Sequence, residues 1–186
     1  MKPIVGIKKV TVFNLNCHRN TKKIRLTMKL NIREAVASDY ESLCVLFDEG
    51  DALHRENLPW VFQKPRGAVR ERDYVLGLIA DEAVGFFAAQ VGDRLAGLIC
   101  VMIRESSEIP IFVRRRYAVV DNVVVKREFQ RTGIGRALME KAHEWAVAEG
   151  AESIELNVWE FNQEAIEFYK TLGYETASRK MNKRLS

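Results

Sequence analysis

The chain has 186 residues, 47% hydrophobic and 29% charged, the balance of one globular domain large enough to bury its own core. Cys17, Cys44 and Cys100 are too far apart for a metal-ligand spacing or a disulfide framework, and no apolar run has the length of a membrane span, so neither a metal nor a membrane is expected. The net charge of +4 resides in residues 1–28, which hold 7 basic and no acidic side chains; the remainder has 22 basic against 25 acidic, so a nucleic-acid partner is not expected either.

In residues 1–28 basic side chains interrupt every apolar run, so no secretory core is present. An acid-free basic segment fits a mitochondrial transit peptide, but serine enrichment and a clear amphipathic helix are lacking. Leu30 to Arg33 reads as a first strand. Ser38 with Glu41 makes a capping box, and Tyr40, Leu43, Cys44 and Phe47 recur at helical spacing to about Glu49, with Gly50 as the stop. Residues 51–67 read as a short helix and a loop; His54 there is expected to be solvated, and Trp60 and Phe62 to serve either the core or a pocket. A helix over Arg70–Ala80 follows, with Tyr74, Leu76, Leu78 and Ile79 as its apolar surface.

Val84–Val91 and Arg94–Arg104 read as a hairpin turning at Gly92-Asp93, with Gly97 marking a bulge or a close backbone approach. Residues 105–116 form a loop ending in Arg114-Arg115-Arg116, a run read as solvated in preference to an anion site. Tyr117–Val125 is a nearly continuous apolar strand, as for one covered on both faces, interrupted by Asp121 and Asn122. A helix over Ile134–Glu149 buries Leu138, Ala142, Trp145 and Ala146 and ends at Gly150. Ser153–Trp159 is the next strand, Asn162 caps a last helix ended by Gly173, and Tyr174–Arg184 reads as a closing strand.

The informative stretch is Val123-Val124-Val125-Lys126-Arg127-Glu128-Phe129-Gln130-Arg131-Thr132-Gly133-Ile134-Gly135-Arg136: a strand, a polar turn, and a helix that starts at a glycine pair. A helix start presents unpartnered N–H groups and partial positive charge, glycines let an anion approach closely, and Arg131 and Arg136 add full charges. Together they read as a phosphate cradle, the other reading being a glycine-rich strand-to-helix turn with no ligand. It is not a P-loop, because no Lys-Ser or Lys-Thr follows the second glycine. It is not a dinucleotide fingerprint, because Leu138 stands where the third glycine belongs.

What remains, Gln130-x-x-Gly133-x-Gly135 after an apolar strand, resembles the acetyl-coenzyme A signature of the GNAT superfamily of N-acetyltransferases. A second stretch, Leu156 to Tyr174, is similar to the same family's strand-loop-helix, with Asn162, Ala165, Phe168-Tyr169 and Gly173-Tyr174 at the matching places. The element order also resembles that family over about residues 28–182, implying an α/β (α+β) fold with a mixed twisted sheet of about six to seven strands and about four helices. Met28 to Ala35 resembles the family's opening strand; residues 1–27 are therefore expected to be a leader, either a translated upstream region or a loosely attached tail, and residues 28–186 a single domain.

The resemblance implies acetyl-coenzyme A as co-substrate, a primary amine as acceptor and direct attack in a ternary complex. It implies a bulge that frees the backbone of Asn122, Val123, Val124 and Val125, with an N–H near Val124 or Val125 polarising the thioester carbonyl. Gln130, Arg131, Thr132, Gly133, Ile134, Gly135 and Arg136 would hold the pyrophosphate, Asn162 would contact the pantetheine or an ordered water, and Tyr169 would protonate the leaving thiolate. Where some members carry a central-strand glutamate this chain has Val119; Asp121, two residues on, is the first candidate base, with Glu82, Glu155 and a water chain beside it. The acceptor is left open among polyamine, amino acid, antibiotic and protein or peptide amine, and a homodimer and a cytoplasmic location fit the reading. A non-catalytic acyl-coenzyme A sensor and another nucleotide-binding α/β protein are the rivals.

Overall fold

The computed structural model describes residues 29–183 and Leu185; the segment expected to be a leader lies outside the described residues. By its internal contacts the chain divides into two compact units, Met1–Leu156 and Asn157–Ser186. The first holds β1 (Leu30–Glu34), α1 (Tyr40–Asn57), α2 (Arg72–Ala80), β2 (Val84–Val91), β3 (Arg94–Glu105), β4 (Arg116–Val125), α3 (Ile134–Ala148) and β5 (Ser153–Leu156). The second holds α4 (Gln163–Lys170).

One sheet runs β1-β2-β3-β4-β5. Its first four strands are antiparallel and β5 joins β4 in parallel, across the crossover made by α3. The long apolar runs of β2, β3 and β4 are explained by cover on both faces. On one face α1 and α2 bury Leu43, Leu46, Phe47 and Val75 against Phe86, Leu98 and Cys100. On the other, α3 buries Leu138, Met139, Ala142 and Ala146. Its Trp145 packs on Gly85, where an added Cβ would stand 2.7 Å from the indole. Asp39 secures the entry to α1: its carboxylate takes a two-pronged hydrogen bond from Arg33 at 2.7 and 2.8 Å and a third from the Val36 N–H.

The fold class is as expected, and four details differ. Gly50 does not stop α1, which runs through it to Asn57. A Cβ at residue 50 would stand 2.8 Å from Val124 Cγ2, so the glycine serves a close helix–strand approach. Asp39, not Ser38, precedes α1. β5 ends at Leu156 rather than Trp159. The stretch from Tyr174 onward forms no strand among the described residues, so the sheet has five strands rather than six or seven; its side chains are almost all polar, with no apolar alternation to hold a strand on a core.

Candidate functional site

The site in the first unit is organised by a slip in β4. Val101 faces Val120 and Cys100 faces Asn122, which leaves Asp121 as the extra residue of a β-bulge. The parallel ladder to β5 ends at Val120↔Leu156, so among the described residues the part of β4 from Asp121 to Val125 pairs with β3 alone. The Lys126 N–H donates to the Ala96 carbonyl at 2.9 Å. That bond fixes the alternation: Asn122 and Val124 turn their main-chain groups toward β3, and Val123 and Val125 turn theirs to the free edge. Gln130 Nε2 donates to the Val125 carbonyl at 3.1 Å. The Val125 N–H and both groups of Val123 are what the edge offers.

β4 leads through a 3-10 turn, Arg127–Phe129, into the glycine stretch. Phe129 is buried, with the Arg94 guanidinium 5.0 Å from its ring. Thr132 Oγ1 donates to the Phe129 carbonyl at 2.5 Å. Arg131 has φ 58° and Gly133 φ 91°, both left-handed. An arginine held in that region costs of order 1 kcal/mol and persists where its surroundings over-determine it. Gly133 caps α3, whose first turn carries no acidic residue, and its Cβ position meets nothing within 4 Å. The N–H groups of the first turn have no partners within the helix, and Arg131 and Arg136 flank them in sequence, the combination that suits an anion. An extended chain ending in phosphates therefore matches both parts: strand-like bonding along Val123–Val125, then the cradle.

The bulge also sets the other side of the site. Asn122 Nδ2 donates to Asp121 Oδ2 at 2.5 Å, so the two side chains lie together. Burial, and then the Asp121 charge, raise the Cys100 thiol to about 12; burial, and then the same charge, raise the half-exposed Tyr74 phenol. Cys100 and α2 belong to the α1/α2 face, so Asp121 shares that face with Val119, which pairs with Met102. Of the other candidate bases, Glu155 is ion-paired to Arg115 at 2.6 Å, and Glu82 lies in the exposed turn before β2. Arg114, Arg115 and Arg116 pair with Glu108, Glu155 and Glu105, in keeping with a solvated run. Trp60 is 59% exposed and is not core, whereas His54 is half-buried, its ring centroid 5.2 Å from that of Phe62. Tyr74 and Glu49, whose carboxylate accepts the Arg127 N–H, carried no signal in the sequence that set them apart from other helix residues.

In the second unit Asn162 is the cap of α4, its Oδ1 accepting the Ala165 N–H at 3.2 Å. Tyr169 lies on α4 edge-on to Tyr174, with ring centroids 5.8 Å apart. Burial pushes the Tyr169 phenol up to about 12, so it is protonated throughout the neutral range.

The model of the acetyltransferase (GNAT) family matches residues 47–174. An uncharacterized N-acetyltransferase of Methanocaldococcus jannaschii is 36% identical over 104 residues, 56% of this chain and 45% of that protein. A thialysine N-epsilon-acetyltransferase of Sus scrofa is 34% identical over 58 residues, 31% of this chain and 34% of that protein. The chain thus spans less than half the length of either relative. Among solved structures, the BH1408 protein of Bacillus halodurans, solved as a mutant, superposes with a TM-score of 0.80 at 21% identity, over 84% of this chain and 99% of its own.

Proposed function

We propose, on the premise that this chain belongs to the acetyltransferase (GNAT) family, that it moves an acetyl group from acetyl-coenzyme A to a primary amine by direct attack in a ternary complex. The observation that carries the reading is the bulge at Asp121: it frees one edge of β4 and leads that edge into a left-handed, cation-flanked cradle. The coenzyme supplies an activated thioester. The Val123 and Val125 main chain binds its arm as an added strand would, and the Val125 N–H polarises the thioester carbonyl. The cradle from Arg131 to Arg136 holds the pyrophosphate.

An acceptor amine is mostly ammonium near neutrality, since a lysine-like amine has a pKa of about 10. Asp121 at the bulge takes that proton on a carboxylate oxygen, directly or through one water, and the Asn122 amide orients it. Tyr169 Oη gives its proton to the sulfur as the carbon–sulfur bond breaks. A phenol raised to about 12 is a weaker acid than a thiol of about 8.5, so its contribution lies at the low end for general acids, about 10² in rate.

The test follows a screen of amine acceptors for coenzyme A release. Tyr169→Phe should lower kcat about 100-fold while coenzyme A binding in calorimetry stays within about twofold. Turnover within about threefold of the parent would make Tyr169 a packing residue.

A further inference from the structure

We propose that Glu49 is a positioning residue for the coenzyme, a tether by which α1 holds the turn that enters the phosphate cradle; the inference rests on the reading of that cradle given above. The Glu49 Oε1 accepts the main-chain N–H of Arg127 at 2.5 Å, across 78 residues of sequence. Arg127 is the first residue of the 3-10 turn Arg127–Phe129, and Lys126, which precedes it, supplies no side-chain cap. A first-turn N–H has no partner inside its own turn. Here a carboxylate from another element supplies that partner, in the manner of a helix cap.

The backbone placement makes this more than a surface contact. Gly50, the next residue, lies so close to Val124 that a Cβ there would be 2.8 Å from Cγ2. α1 is therefore seated on the end of β4 at the residue beside Glu49, and the carboxylate reaches Arg127 from a fixed base. From Arg127 the chain of bonds continues: the Gln130 N–H donates to the Arg127 carbonyl at 3.3 Å, and Gln130 Nε2 donates to the Val125 carbonyl at 3.1 Å. Arg131, the next residue, is the one non-glycine with positive φ among the described residues. A strained residue keeps its conformation only while the bonds around it hold. Release of Arg127 would thus loosen the segment whose N–H groups meet the pyrophosphate.

The experiment uses the full chain, coenzyme A titrated in calorimetry, and amide hydrogen exchange. Glu49→Ala should weaken coenzyme A about tenfold, the scale of one hydrogen bond to a charged group, and speed exchange at Phe129 and Gln130. Glu49→Gln keeps an acceptor oxygen and should stay within about threefold of the parent. Arg127→Pro removes the donor at a first-turn position that accepts proline, and on that background Glu49→Ala should add less than about twofold. With a working acceptor, the loss should appear in KM for acetyl-coenzyme A and leave kcat unchanged. Glu49→Ala binding like the parent overturns the tether. So does Glu49→Gln failing as badly as Glu49→Ala, or an undiminished Glu49→Ala effect on the Arg127→Pro background. A parent chain that binds no coenzyme A defeats the functional reading instead, and the exchange rates at Phe129 and Gln130 then decide the tether by themselves.

Discussion

Gly97 offers the sharpest test of how β3 and β4 are fitted together. A Cβ at this position would lie 2.7 Å from the Val124 carbonyl oxygen, 3.1 Å from Leu138 Cδ1 and 3.5 Å from Val125 Cα. An ordinary carbon–oxygen approach is about 3.3 Å, and the obstructing atom is backbone, which has no rotamer to escape into. In Gly97→Ala the two strands must therefore part. Overpacking of this kind costs about 1–3 kcal/mol, offset in part by about 0.5–1 kcal/mol because alanine loses less backbone entropy than glycine in a strand. The net loss should be about 1–2 kcal/mol, or roughly 2–8 °C in Tm for a chain of this size. The moved atoms belong to Val124 and Val125, beside the edge proposed to bind the coenzyme arm, so coenzyme A affinity should also fall, about tenfold. Scanning calorimetry and titration calorimetry measure the two effects. Gly92→Ala is the control: its φ of 64° strains an alanine, but nothing lies within 4 Å of its Cβ, so it should cost stability and leave binding alone. A Gly97→Ala protein with the parent's Tm and affinity would refute the fit.

Three further outcomes are expected. Gly135→Asp places a carboxylate in the first turn of α3, which favours the helix, yet it should weaken coenzyme A at least about tenfold; unchanged affinity would remove the phosphate from this turn. The Asp39 carboxyl is held below its usual range, first by the Arg33 hydrogen bonds and then by the Val36 N–H. Its stabilisation is present above the unfolded pKa of about 3.9 and is lost as pH falls through the lower folded value, so Asp39→Asn should cost about 2 kcal/mol at neutral pH and flatten the acid limb of a Tm–pH curve. For Tyr169, raised to about 12, the phenol keeps its proton up to that pH, so Tyr169→Phe should lower the kcat plateau without moving any alkaline limb seen below about pH 10.

The strands and α3 were legible because their signals are local. β2 and β3 are apolar runs around Gly92-Asp93, and α3 has a 3.6-residue stripe between two glycines. The start of α3 was legible because a glycine pair after a polar turn marks a helix start, and Gly133 is its left-handed cap. What the sequence hid is non-local. Gly50 looks like a helix stop until Val124 is known to stand against it. Tyr174–Arg184 looked like a strand by position in the fold, but its composition lacks the buried face a strand needs. Gln130 reads as a phosphate contact, and the bond its side-chain amide also gives to the Val125 carbonyl is one that no sequence pattern shows. Glu49 could not be found by any pattern, since its partner lies 78 residues away.

The inserted residue in β4 explains why one short strand serves two sides of a site. Before the bulge, the Arg116 carbonyl accepts from Glu152, and by alternation the even-numbered residues Arg116, Ala118 and Val120 face β5 with their main-chain groups. After it, the odd-numbered residues Val123 and Val125 face that way. The phase of the strand has been reversed by one position, and the ladder to β5 ends where the reversal occurs. Side chains reverse as well: Val119, opposite Met102, and then Asn122 and Val124, opposite Cys100 and Leu98, lie toward α1 and α2, with Asp121 beside them. A regular strand through the same residues would alternate Asp121 and Asn122 between faces. The bulge places both on one face, and in the same step releases the neighbouring backbone from β5. Carboxylate and edge N–H groups therefore come from one local distortion, so a change that moves the bulge should disturb the proposed proton removal and the proposed coenzyme binding together.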